Sequence, residues 1–244
     1  MADRALSRIS LPIPVLKSGK KRPTNPYGVM IHQTGSGIVR KARAANAKVF
    51  EYAAAYYARP DTYWAHYLIN YDGARLQITR EDEIAYHCGL SAQDRQDFLS
   101  GRWKKRVSKA TLALWNETWA ARYTSPSHLY PARGPNLDYI AVELLPLVDE
   151  VPLDYLYTPP GSPWRHTHAQ LLSVADLVND IADRWNFPDS WAYVENSFPS
   201  GRLVGHEDVN PLTRSQRSGG WDPGYLRAPE DRWFDFGAVR ALMI

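Results

Sequence analysis

The stretch Leu203-Val204-Gly205-His206, followed sixteen residues after its histidine by Asp222 in Trp221-Asp222-Pro223-Gly224, decides how this chain is read. The short apolar run entering His206 reads as a buried strand that delivers a histidine at its end. Asp222 is held in an Asp-Pro-Gly turn. Histidine and aspartate both ligate zinc, which takes about four donors at roughly 2.0–2.2 Å. Working outward, the best source of a third protein ligand is His32, at the end of a second apolar run, Gly28-Val29-Met30-Ile31-His32. The pattern predicts two histidines and one aspartate around Zn2+, with a fourth position open to water. An open position separates a catalytic zinc from a structural one.

The rest of the chain reads as one domain. A length of 244 residues accommodates a single large domain, and a hydrophobic content of 44% is ordinary for a globular protein. Nine Trp and fifteen Tyr suit stacking against rings or sugars, or a large core. The net charge of +3 is mild. Two basic clusters, Lys17 to Arg22 and Arg102 to Arg106, read either as solvated surface or as contacts to an anionic polymer; no nucleic-acid partner is expected. Cys88 is the single cysteine, so no intrachain disulfide forms. No apolar run of about 18 residues is present and the N-terminus has no signal-peptide pattern, so the expectation is synthesis in the cytoplasm without a transmembrane segment.

Residues 1–26 read as a basic, proline-bearing arm, and residues 27–224 as the domain. Helical spacing of Val49, Phe50, Ala53 and Tyr57 predicts one helix from Val39 to about Ala58, ended by Arg59-Pro60. Ala65 to Ile78, with Asp72-Gly73 between two apolar runs, predicts a β-hairpin. An insertion is expected at about 91–136, with a helix around Ser108 to Tyr123. Tyr139 to Leu145 predicts a strand carrying one oddity, Glu143, a carboxylate that is costly to bury unless something pairs with it. Thr167 and Gln170 form a capping-box pattern that opens the clearest helix, with Leu171, Val174, Ala175, Val178, Ile181, Ala182 and Trp185 on one face. The tail, 225–244, ends in a short helix near Gly237 to Met243. Strands alternating with helices, with one hairpin included, predict an α/β fold: a central mixed β-sheet flanked by helices.

The order of these pieces resembles the type 2 N-acetylmuramoyl-L-alanine amidases, which share the fold of peptidoglycan recognition proteins. The resemblance rests on Val29 to His32, Ala65 to Gly73, Tyr86-His87-Cys88-Gly89, Ile140 to Glu143, Thr167 with Gln170, Gly205-His206 and Asp222-Pro223-Gly224, in family order over residues 28–224. It implies that His32, His206 and Asp222 are the zinc ligands and that Glu143 is the catalytic carboxylate. Zinc would lower the pKa of bound water and polarise an amide carbonyl while a nearby carboxylate moves the proton. One branch of the family has a lysine two residues before the third ligand; here that position is Gly220. His87, Arg214 and Arg217 are the candidates for a substrate groove or for oxyanion support.

Other residues read more plainly. His66 reads as a packed strand histidine. His166 and His168 have the spacing of a metal pair on a strand but lie at a helix start. Adjacency of His87 and Cys88 is no evidence for a thiol nucleophile. The resemblance implies a peptidoglycan amidase cutting between N-acetylmuramic acid and L-alanine, against the alternatives of a binding module of the same fold or a cytoplasmic muropeptide-recycling amidase. Substrates are then peptidoglycan or muropeptides. A wall enzyme without an export signal reaches its target after release, as a phage lysin, or after delivery, with a delivery machine or immunity protein as the implied partner.

Overall fold

Strand β1 (Gly28–Gln33) is buried along its whole length, which is the environment of a central strand covered on both faces. It pairs in parallel with β4 (Tyr139–Leu144) on one side and with β5 (Leu203–Gly205) on the other. β2 (Tyr67–Ile69) adds in parallel to β4, and β3 (Arg75–Gln77) closes the edge antiparallel to β2. The five strands lie in the order β3-β2-β4-β1-β5, so the sheet is mixed, as the sequence predicts. The computed structural model describes residues 19–34, 36–60, 62, 64–89, 93, 96–97, 100–105, 109, 112–113, 134–145, 166–188, 202–209 and 234–243. Gly28 is required by the closeness of β1 to the entry of β5: a Cβ there would stand 2.1 Å from the carbonyl oxygen of Arg202.

Helices cover both faces. α4 (His168–Arg184) and α6 (Phe236–Leu242) pack with Val29, Ile31, Ile140, Val142 and Leu203. α1 (Ser36–Ala44) and α2 (Val49–Tyr57) pack with Leu68, Ile78 and Leu145 on the other. The single helix expected from Val39 to Ala58 is therefore two. Asn46 takes a left-handed φ of 51°, with its N–H on Arg43 and that of Ala47 on Ala42. That is a Schellman ending with asparagine where glycine is usual. Asn186 ends α4 in the same way, with φ 49° and bonds to Asp183 and from Phe187 to Ala182.

The capping box forms as predicted, Thr167 accepting from Gln170 N–H. The same two residues bind the helix to the sheet, because Thr167 Oγ1 donates to the Tyr71 carbonyl and the buried Gln170 amide to the carbonyl of Leu145. The hairpin turns at Gly73, φ +87°, where a Cβ would also meet the Ala169 carbonyl at 2.8 Å.

Residues 19–22, placed in the arm by the sequence reading, lie against the domain. Lys21 bridges to Glu83, and Arg22 donates to the carbonyls of Glu81 and Tyr139 at 2.8 Å each and of Asn136 at 3.2 Å. In the second basic cluster, Arg102–Lys105 form a 3-10 turn that buries Trp103 in the core. Most of the helix expected around Ser108 to Tyr123 lies outside the described residues. The terminal helix expected near Gly237 to Met243 is α6.

Candidate metal and catalytic site

The carboxyl ends of parallel strands are where open α/β sheets place their ligands, and three such ends meet here. His32 is opposite Glu143 in the β1–β4 ladder, so the two Cα atoms are neighbours and both side chains leave the same face of the sheet. β5 ends at Gly205, opposite Ile31, and His206 follows as the first residue of α5 (His206–Val209). His32 and His206 are 2% and 1% exposed. Their Nδ1 atoms are 2.9 Å apart, with the rings edge to face at a centroid distance of 4.4 Å.

This pair fits two positions of a metal site. Nitrogens of a tetrahedral zinc at about 2.0–2.1 Å from the metal stand about 3.3 Å apart, a few tenths of an ångström from the 2.9 Å observed. Two buried imidazole nitrogens so close must share a proton or turn both lone pairs to a cation. Among the described residues no group of three or more His, Cys, Asp or Glu converges as a metal site. The expected third ligand, Asp222, lies outside those residues, as do Arg214, Arg217 and Gly220.

Glu143 is half-buried and accepts a hydrogen bond from Thr34 Oγ1 at 3.1 Å. Thr34 in turn lies 3.4 Å from the hydroxyl of Tyr57, at the end of α2. Burial first, then the charge of Glu143 beside it, push the Tyr57 phenol well above its ordinary value, so it stays protonated and donates to Glu143. Thr34 and Tyr57 were not singled out in the sequence. Thr34 carried a signal, since it lies two residues past His32, just beyond the end of β1, at the spacing that shares a strand face. Tyr57 carried none, because only the packing of α2 on the sheet brings it to Glu143.

His87 is brought to the same place. It is 6% exposed and its Nδ1 lies 3.0 Å from Nε2 of His32. Burial, then the neighbouring His66, lower its pKa well below the ordinary value, so the ring is neutral. Its backbone is seated by Asn136, at the start of α3 (Pro135–Asp138), whose Oδ1 accepts from the N–H groups of His87 at 3.1 Å and Cys88 at 2.8 Å. Nothing in the sequence marked Asn136, which falls at the end of the expected insertion.

The other histidines are placed differently. His66 Nδ1 accepts from the Ala141 N–H at 2.9 Å and its Nε2–H donates to the Glu83 carbonyl at 3.0 Å. Burial, then the Arg22 guanidinium, lower its pKa to about 3. It is a packed histidine just before β2, held by backbone at both nitrogens and also by Arg22, whose Nη2 lies 2.8 Å from Nε2. His166 packs edge-on to Phe234 with centroids 5.3 Å apart, while His168 is exposed on the first turn of α4. Cys88 is buried in the apolar core, a setting for an inert thiol rather than a nucleophile.

A mixed α/β sheet thus carries a buried histidine pair and a hydroxyl-held glutamate together at its strand ends. The family model described as N-acetylmuramoyl-L-alanine amidase matches residues 22–225, and the chain belongs to that family. Membership supports peptidoglycan amidase activity as its general function. A solved structure of a selenomethionine AmpD derivative is similar at 17% identity and a TM-score of 0.43, over 95% of this chain and 96% of that one. No curated protein matches. No helix among the described residues is long and apolar enough to cross a membrane.

Proposed function

We propose that this chain is a zinc-dependent amidase that cuts the bond between the lactyl group of N-acetylmuramic acid and the L-alanine of the stem peptide in peptidoglycan or muropeptides. The observation that carries the reading is the buried Nδ1–Nδ1 contact of His32 and His206 beside Glu143. Family membership names the bond.

His32 and His206 are the metal pair in this reading, and Asp222 is the third ligand. Zinc held there supplies Lewis-acid polarisation of the scissile carbonyl and water of lowered pKa. Glu143 takes a proton from the attacking water and returns it to the leaving amine, the part a positioned carboxylate plays in amide hydrolysis. Thr34 and Tyr57 hold that carboxylate in place from one side, so it does not swing between rotamers during the transfer. Arg214 and Arg217 remain the candidates for charge at the carbonyl oxygen, where Gly220 supplies no cation. Delivery or release brings the enzyme to the wall.

The test is incubation of the zinc-loaded protein with purified muropeptides. Free stem peptide is the expected product, and Glu143→Gln lowers its rate by about 10²–10⁴-fold while zinc content stays near one per chain. Zinc-loaded wild type that releases no stem peptide from any muropeptide sinks the reading and leaves a binding module of the same fold.

A further inference from the structure

His32 is gripped on both edges of its ring. Nδ1 meets His206 Nδ1 at 2.9 Å and Nε2 meets His87 Nδ1 at 3.0 Å. The two nitrogens of an imidazole point to opposite sides, so His87 stands behind His32 and cannot share the ion that His32 Nδ1 reaches. Its influence passes through the proton on His32.

Two patterns satisfy both contacts of His32. In one, His87 donates to His32 Nε2, and the His32 proton sits on Nδ1, facing His206. In the other, His32 Nε2–H donates to His87 Nδ1, and His32 Nδ1 presents a bare lone pair. Only the second leaves His32 able to ligate through Nδ1. Histidines that bind metals regularly donate their other N–H to a fixed acceptor, which sets tautomer and ring orientation. The acceptor here is fixed, since both N–H groups of the His87-Cys88 step end on Asn136 Oδ1 and the ring is buried.

We propose that His87, seated by Asn136, is a positioning residue that accepts the Nε2 proton of His32 and thereby commits His32 Nδ1 to the metal. This rests on the reading of His32 and His206 as a metal pair. It gives His87 a task other than lining the groove or steadying an oxyanion. The acceptor is a neutral imidazole where a carboxylate or carbonyl is usual, so another neutral acceptor in its place should work in part.

The experiment measures zinc affinity of the full metal-free chain by competition with a chromophoric chelator, with circular dichroism of each variant as the control for folding. His87→Ala is expected to weaken zinc binding about 10–100-fold. His87→Gln, which keeps an acceptor, recovers part of that loss. Asn136→Ala, which frees the backbone of His87, gives a smaller loss in the same direction. A folded His87→Ala that binds zinc as tightly as wild type overturns the proposal alone, and so does a His87→Gln no better than alanine. Wild type that takes up no zinc overturns the metal-pair reading and this proposal with it.

Discussion

Two glutamates on this fold invite comparison, the buried Glu81 and the half-buried Glu143. Glu81 is 8% exposed and receives Arg184 Nε at 3.2 Å and Nη2 at 2.5 Å, Trp185 Nε1 at 2.7 Å and Tyr67 OH at 2.5 Å. It joins the end of α4 to the loop after β3, and the guanidinium answers its charge. Glu143 accepts from the hydroxyls of Thr34 and Tyr57 and lies opposite His32 in the sheet. The histidines divide in the same way. His66 is held by backbone and by the Arg22 guanidinium, whereas both His32 nitrogens face other histidines. A carboxylate on a guanidinium and an imidazole on backbone and a guanidinium are locked by partners that do not change protonation. A carboxylate on hydroxyls and an imidazole among imidazoles can exchange a proton, or a proton for a metal.

The contrast is broken most strongly by exchanging outcomes between the two regions. His206→Ala is expected to abolish stem-peptide release, by about 10³-fold or more, with little loss of thermal stability in the metal-free protein. Glu81→Ala is expected to do the reverse. It strands the Tyr67 hydroxyl and the Trp185 N–H and costs about 2–3 kcal/mol in urea unfolding, with turnover per folded molecule unchanged. A Glu81 variant that loses activity while remaining folded would erase the distinction.

Tyr57→Phe sharpens it at the next scale. Removing one hydroxyl donor to a charged group costs about 1.5 kcal/mol, so kcat should fall about tenfold with KM little changed. A change in KM alone would place Tyr57 in substrate binding instead.

The smallest effect is read in pH. His66 is neutral in the folded protein down to about pH 3, whereas in the unfolded chain it takes up a proton below its ordinary value of about 6.5. Between those values the unfolded state binds more protons. The stability contributed by neutral His66 is therefore complete above about pH 6.5 and declines as pH falls, by at most about 1.4 kcal/mol per pH unit. Thermal unfolding of the metal-free protein between pH 7.5 and 5 should show that slope, and His66→Gln should reduce it, leaving the share of buried His87. An equal slope in both proteins would mean that His66 is not the residue responsible.

The elements legible in the sequence are those whose cause is local. β1, β4 and β5 are apolar runs because both faces of a parallel strand are covered, and α4 announces itself through Thr167, Gln170 and a one-sided stripe. The break between α1 and α2 was hidden because Asn46 is as acceptable inside a weak helix as at a left-handed end, and the packing of α2 against Leu68 and Leu145 decides between them. His32, His206 and Glu143 were legible as the ends of apolar runs. Their neighbours Tyr57, His87 and Asn136 acquire their roles from contacts across 48 to 55 residues of chain or from helix packing, which no local pattern encodes.

By itself the sequence determined the order of strands and helices, the domain's family and the identities of the histidines and carboxylates, because hydrophobic period, caps and turn residues act over a few residues. Only the tertiary structure decided which of those groups are structural and which are poised for chemistry. His66 and His32 both lie in apolar segments at strand ends, and they differ in what meets the ring once the sheet is assembled: backbone groups and a guanidinium for one, two other imidazoles for the other.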